Sequence, residues 1–248
     1  MEWILKLDEV SKDFVLHNHQ DARFQVLSGL SLACARGEAT VLQGLSGCGK
    51  STLLKMIHGG YRTESGQILV RSDPVKSDKV RSGRDVVDIA TASPRQLRDI
   101  RLHTIGYVGQ TLQITPGLSA IETAMDPLAE RQETGPGALE KAGRTLECLG
   151  LPQALWPLPV PPLSPAQQQI INLAAGFTAP FPILLLDDPL AGADDTFQDR
   201  VLELCGQALK EDTCLIIACR DAAPFQPIAR RIIDFADLSS GSVSEEVA

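Results

Sequence analysis

The sequence predicts an α/β fold, with a core built on a mixed sheet and a small helical subdomain beside it. Three observations predict it. A strand-like run from Glu38 to Gln43 stops at Gly44, passes through a glycine-rich loop and enters a helical pattern at Thr52. An apolar run from Pro182 to Leu186 ends in the acids Asp187 and Asp188, which is how a buried parallel strand meets a site at its carboxyl end. Between these two segments, from Thr111 to about Leu163, the pattern is helical and rich in loops.

Taken in chain order, Ile4 to Val10 alternates apolar and polar residues and predicts an edge strand. Thr52 to His58 predicts a helix closed by Gly59 and Gly60. Residues 71 to 88 are charged and carry Pro74 and Gly83, which predicts an exposed loop or hairpin rather than core. Pro94 to Leu102 predicts a helix, with Ser93 as N-cap and Pro94 at the first helical position. Thr104 to Val108 is a short β-branched run. Trp156 to Pro165 holds five prolines, which forbid regular helix or central strand and predict a stiff extended connector. A helix follows from Ala166, another spans Leu202 to Lys210, and Thr213 to Ala218 predicts a second buried strand. The last ten residues are expected to be exposed or frayed. The chain then forms a single domain, with a core lobe of about 1–110 and 166–248 and a helical subdomain of about 111–165.

Composition narrows the function classes. A hydrophobic share of 44% with only 4% aromatics demands an aliphatic core. A net charge of −8 without a long basic block repels phosphate backbones and disfavours a nucleic-acid partner. Cysteines 34, 48, 148, 205, 214 and 219 show no Cys-x-x-Cys spacing and no accompanying histidine cluster, so neither a metal site nor a disulfide framework is indicated. Glu2 sits where a signal peptide carries basic residues, and no apolar run approaches the roughly 18 residues of a membrane span. The expected location is a reduced, cytoplasmic one.

The strongest chemical signal is Gly44-Leu45-Ser46-Gly47-Cys48-Gly49-Lys50-Ser51, followed by Thr52, a full match to G-x-x-x-x-G-K-[ST]. Glycines let the backbone curl so that amide N–H groups point inward at phosphate oxygens. Lys50 is expected to reach the β- and γ-phosphates of ATP, Ser51 to place its hydroxyl on Mg²⁺, and the following helix to aim its positive end at the anion. Cys48 fills a small-residue slot in the loop. Asp187, at the end of its apolar run, is the expected second holder of the metal, directly or through water.

Set in order along the chain, these pieces resemble the ABC ATPase family over nearly the whole length, a fold with a P-loop NTPase core. Phe14 occupies the place of an aromatic that stacks on adenine, although such a residue alone is more often core than an adenine platform. Gly106 to Gln110 is similar to the Q-loop, and the resemblance gives Gln110 contact with Mg²⁺ and the γ-phosphate. Leu163 to Gln169 stands at the signature position, where Ser164 would cap the γ-phosphate of ATP held by an opposing subunit. Ala191 to Asp194 stands at the D-loop and Ala218 to Asp221 at the switch histidine. The resemblance implies a head-to-tail homo- or heterodimer, and either a membrane permease or soluble metabolic subunits as partners. Asp85 to Arg95, Gln113 to Ala120, Leu151 to Trp156 and Phe14 to His19 are similar to the PhnL-type subunit of the bacterial carbon–phosphorus lyase system. That likeness implies phosphonate metabolism within a soluble complex. There the subunit is implicated, with others, in making ribose 1-methylphosphonate 5-triphosphate from ATP and a phosphonate.

Three departures from the family pattern all concern hydrolysis. Asp188 replaces the usual catalytic glutamate, keeping the charge but losing one methylene; either it falls short of its water or a small backbone shift restores reach. Arg220 replaces the switch histidine and cannot give up a proton; it either donates to a γ-phosphate or pairs with Asp221 or another nearby acid. At the signature, Pro165 removes an amide donor and Ala166 adds a methyl, while Ser164, Pro165 and Gln167 still make a good helix start. The expectation is a chain that binds ATP well and hydrolyses it slowly, or a scaffold that does not turn it over.

Overall fold

The computed structural model describes residues 2–16, 22–72, 85–235 and 245–247. Among them lie ten strands and six α-helices. The strands are β1 (Trp3–Leu16), β2 (Ala22–Ala35), β3 (Ala39–Gln43), β4 (Ser65–Ser72), β5 (Asp85–Asp88), β6 (Ile105–Val108), β7 (Ile183–Asp187), β8 (Cys214–Cys219), β9 (Ala229–Asp234) and β10 (Glu245–Val247). The helices are α1 (Lys50–Ile57), α2 (Pro94–His103), α3 (Ala120–Glu130), α4 (Pro136–Cys148), α5 (Pro165–Thr178) and α6 (Asp195–Lys210).

The central sheet runs β10-β9-β3-β8-β7-β6 and is parallel except at β10. Strand β8 and all of β7 before Asp187 are apolar because helices or sheet cover both faces. Alternate residues feed opposite sides: Ile183, Leu185, Cys214 and Ile216 join one apolar cluster, while Leu184, Leu186, Leu215 and Ile217 join the other. The first cluster is closed by α1 and by an antiparallel sheet of order β2-β1-β4-β5. The second is closed by α3, α4, α5 and α6. Arg131 ties the end of α3 to the core. Its Nε donates to the Leu102 carbonyl at 2.6 Å, Nη1 donates to that of Pro180 at 3.1 Å, and the guanidinium lies 4.4 Å from the Phe181 ring centroid.

Several expectations need correction. The segment Ile4 to Val10 is no edge: β1 extends to Leu16 and pairs with both β2 and β4. Alternation reports that one face is buried, and it carries no information about the flanking hydrogen bonds. Of the loop or hairpin expected at residues 71 to 88 the structure has the hairpin, the end of β4 paired antiparallel with β5, while positions 73–84 between them lie outside the described residues. Within the last ten residues, 245–247 form β10 against Arg231–Ile233 instead of fraying, and 239–244 and 248 lie outside the described residues. The proline-rich connector is folded in. The backbone N–H of Ala120 donates to Leu158 O and that of Ile121 to Trp156 O, and Val160 is fully buried. Helix α6 begins at Asp195, a full two turns before Leu202, because Asp194 caps it by accepting from the Phe197 N–H. Among the described residues no helix is long and apolar enough to cross a membrane.

Candidate phosphate-binding site

Strand β3 delivers the chain to Gly44, and the loop turns back to start α1 at Lys50. Gly49 is the N-cap, with φ of 109° and no side-chain cap. A Cβ there would stand 2.8 Å from Val26 Cγ1 and 3.1 Å from Val26 O, so this position tolerates neither an L side chain's bulk nor its backbone preference. With no cap, the first-turn amides of α1 remain available to an anion. Lys50 folds back over the loop. Its ammonium donates to the carbonyls of Gly44 and Leu45 at 2.7 and 2.9 Å and lies 3.3 Å from Cys48 Sγ. A fixed positive charge thus stands at the loop's mouth.

The acid strand β7 pairs with β8 and β6 and brings Asp187 to this helix start. Asp187 is 4% exposed, and both of its oxygens are engaged. Ser51 Oγ donates to Oδ1 at 2.8 Å, and the Tyr107 hydroxyl donates to Oδ2 at 3.1 Å. Burial, and then the neighbouring Asp187 charge, push the Tyr107 hydroxyl well above the ordinary phenol range, so it stays a donor. His58, the C-cap of α1, stacks on the Tyr107 ring at 5.3 Å and 29°. A helix C-terminus favours a charged imidazole, but here burial wins, reinforced by Arg101, and holds His58 down at about 4. The stacked ring is therefore neutral.

Asp188 follows in a left-handed conformation, φ 52°, with its N–H donated to Ala218 O at 2.7 Å. Burial and the charge of Asp187 raise its pKa, while Arg220 and Lys50 pull the other way. Arg220 Nη2 donates to Ser46 Oγ at 3.1 Å, so the guanidinium lies across the phosphate loop. The alternative pairing of Arg220 with Asp221 is not what the structure has, since Asp221 Oδ1 accepts from the Ala223 N–H.

One cleft of about 200 Å³ gathers Ser46, Gly47, Gly49, Lys50, Ser51, Thr52, Gln110, Asp187, Asp188 and Arg220. Gln110 also lines an adjoining cleft with Lys55, His58, Tyr107 and Asn172. Asn172, buried in α5, steadies the loop by donating from Nδ2 to Gly109 O at 2.7 Å. Sequence reasoning missed Tyr107, His58 and Asn172; a polar Asn172 inside the apolar stretch Ile170 to Phe177 was the one available signal.

Of the expected site residues, Gly44 and Cys48 belong to the loop without lining the cleft, and Phe14, Ser164 and Asp194 lie outside its lining altogether. Phe14 meets the Tyr61 ring edge-on, centroids 5.7 Å apart, with the Lys12 ammonium 5.3 Å from its ring. Ser164 is the N-cap of α5: its Oγ accepts from the Gln167 N–H at 3.3 Å and its N–H donates to Gln167 Oε1 at 2.9 Å. Asp194 caps α6 and lines a separate depression with Ala166, Gln169, Phe197 and Arg200.

Among the described residues no group of three or more His, Cys, Asp or Glu side chains could hold a metal. The paired oxygens of Ser51 and Asp187 nonetheless suit a small hard cation that takes its remaining ligands from water and a bound phosphate, which is the habit of Mg²⁺.

The sequence model of the ABC transporter family matches residues 27–191, a span that includes the phosphate loop, Gln110, Ser164, Asp187 and Asp188 and leaves out Phe14, Asp194 and Arg220. An uncharacterized ABC transporter ATP-binding protein of Mycobacterium tuberculosis is 30% identical over 208 residues, covering 84% of this chain. The chain spans only 58% of that relative's length. The ABC transporter ATP-binding protein YtrE of Bacillus subtilis is 30% identical over 186 residues, 75% of this chain and 74% of that protein. The dimeric ATP-binding cassette MJ0796, solved in a post-hydrolysis state with ADP and phosphate, superposes with a TM-score of 0.81 over 98% of each chain at 23% identity. That likeness establishes the fold.

Proposed function

The chain belongs to the ABC transporter ATP-binding family, and from that premise we propose that it is a MgATP-binding subunit with slow hydrolysis, serving the carbon–phosphorus lyase system. The observation that carries the binding half is the 2.8 Å contact between Ser51 and Asp187, which joins the phosphate loop to the acid strand. The amides of 44–51 would hold the triphosphate, Lys50 would neutralise its outer charge, and Gln110, which lines the same cleft, would contact the metal and the γ-phosphate. Bound Mg²⁺ supplies charge neutralisation and orients the phosphates. Phe14, with Tyr61 at its edge, offers the adenine a stacking surface. The core lobe, about 1–110 and 166–248, holds the nucleotide, while the helical subdomain, about 111–165, presents Ser164 to an opposing subunit of a homo- or heterodimer.

The hydrolytic half is weakened in three places. Asp188 is one methylene shorter than the glutamate the family pattern carries there, which draws its carboxylate back from the attacking water. Arg220 can stabilise a γ-phosphate but cannot relay a proton. The α5 start spends Ser164 and Gln167 on each other, and Pro165 has no N–H to give. These losses fit a subunit whose bound ATP serves assembly, or supplies a substrate, more than rapid turnover.

The phosphonate assignment rests on the segments 14–19, 85–95, 113–120 and 151–156. Affinity purification from cells that make the protein, with identification of what comes along, tests it. Soluble phosphonate-metabolising subunits are expected; a membrane permease would instead favour a transporter ATPase, the reading suggested by the names of the relatives. Phosphate release is measured on the same material. Turnover at ordinary ABC ATPase rates, abolished by Lys50→Ala, would contradict slow hydrolysis. No turnover even in the assembled complex would make the chain an ATP-binding scaffold.

A further inference from the structure

Helix α1 grips Asp187 from both of its ends. At its start, Ser51 donates to Oδ1 at 2.8 Å. At its finish, His58 stacks on Tyr107, whose hydroxyl donates to Oδ2 at 3.1 Å. The far end is itself anchored, because Arg101 Nε and Nη2 donate to the carbonyls of His58 and Gly59 at 2.9 and 2.8 Å. Strand register completes the arrangement. Tyr107 pairs with Leu185, two residues before Asp187 and on the same face of the sheet.

A carboxylate that holds a cation through one oxygen needs its plane fixed, since rotation about its last bond moves that oxygen away from the metal. Asp187 is nearly closed to solvent, so water is a poor substitute for a lost partner at Oδ2. We propose that Tyr107 is a positioning residue for the metal: its hydroxyl locks the Asp187 carboxylate so that Oδ1 stays beside Ser51 and faces the cation. The inference rests on the MgATP reading of the cleft. Tyr107 touches neither nucleotide nor metal in this scheme and acts only through Asp187. Outer-shell partners of this kind change metal affinity by roughly 10–100-fold when removed.

The test is calorimetry of ATP with and without Mg²⁺ on the wild type and on Tyr107→Phe, which keeps the ring stacked on His58 and removes the hydroxyl alone. The wild type is expected to gain affinity when Mg²⁺ is added. In the variant, ATP alone should bind as before while the gain from Mg²⁺ shrinks about tenfold. A full Mg²⁺ gain in the variant overturns the proposal, and so does an equal loss with and without the metal, which would mark a merely structural role. A wild type that binds neither form sinks the MgATP reading itself, and the proposal with it. A second readout covers a variant that fails to fold. The chain has two tyrosines, Tyr61 and Tyr107, so 3-fluorotyrosine labelling gives two fluorine resonances, assigned through Tyr61→Phe. Adding Mg²⁺ to the ATP-bound protein should move the Tyr107 resonance; a stationary one overturns the assignment.

Discussion

Two helix starts in this molecule are built from similar small residues and end in opposite states. At α1 the N-cap is Gly49 in a left-handed conformation, no side chain caps the turn, and the amides remain open. At α5 the N-cap is Ser164, its hydroxyl and backbone N–H are both matched by Gln167, and Pro165 carries no N–H at all. An uncapped start costs local stability and gains an anion site. A self-capped start gains roughly 1 kcal/mol and gives up that chemistry. The difference teaches that the α1 start keeps its amides open to an anion, while the α5 start, which the proposed dimer would turn toward an opposing subunit, satisfies its own.

The largest expected effect lies at the open start. Lys50→Ala should weaken ATP binding on the order of 100-fold, about 3 kcal/mol, in a calorimetric titration, since it removes the charge at the loop's mouth. Unchanged affinity would erase the contrast between the two starts.

Next is the far end of α1. His58 has its pKa depressed from 6.5 to about 4 in the fold, so the unfolded chain takes up its proton first as pH falls. Its contribution to stability is complete above pH 6.5 and is lost between 6.5 and about 4, on the order of 3 kcal/mol. Arg101 and Tyr107 face it, and the Tyr107 hydroxyl, pushed above the ordinary phenol range, stays protonated across that window. Denaturant unfolding from pH 7 to 4 should show this loss in the wild type and a shallower one in His58→Gln.

Gly49→Ala should destabilise the fold by about 2 kcal/mol in the same assay, because the new Cβ meets Val26 at a left-handed position. The smallest effect belongs to the closed start. Ser164→Ala should cost about 1 kcal/mol of stability and leave ATP affinity of the single chain unchanged, which sharpens the contrast if both halves of the result hold.

How legible these features were depended on how local their causes are. The phosphate loop could be read because its glycines answer a need set within eight residues. The strand β7 could be read because burial on both faces leaves a solid apolar run before Asp187. The capping box at Ser164 and Gln167 was visible for the same reason, being a matter of three-residue spacing. Tyr107 escaped notice because its role is set by the register of β6 against β7, strands 80 residues apart at the contact in question. The central place of β1 escaped because alternation is blind to sheet order. The first turns of α6 escaped because the polar Asp195, Thr196 and Gln198 blur any apolar period there. The fate of Arg220 was open for want of a distance; the fold supplied it by bringing β8 beside the phosphate loop.

Hydrogen–deuterium exchange with and without MgATP tests the central claim most directly, since it reads the amides themselves. The account expects protection across residues 44–52 and little change across 163–169 in the single chain. Exchange at 44–52 that ignores MgATP, or protection shared equally by both helix starts, would contradict it.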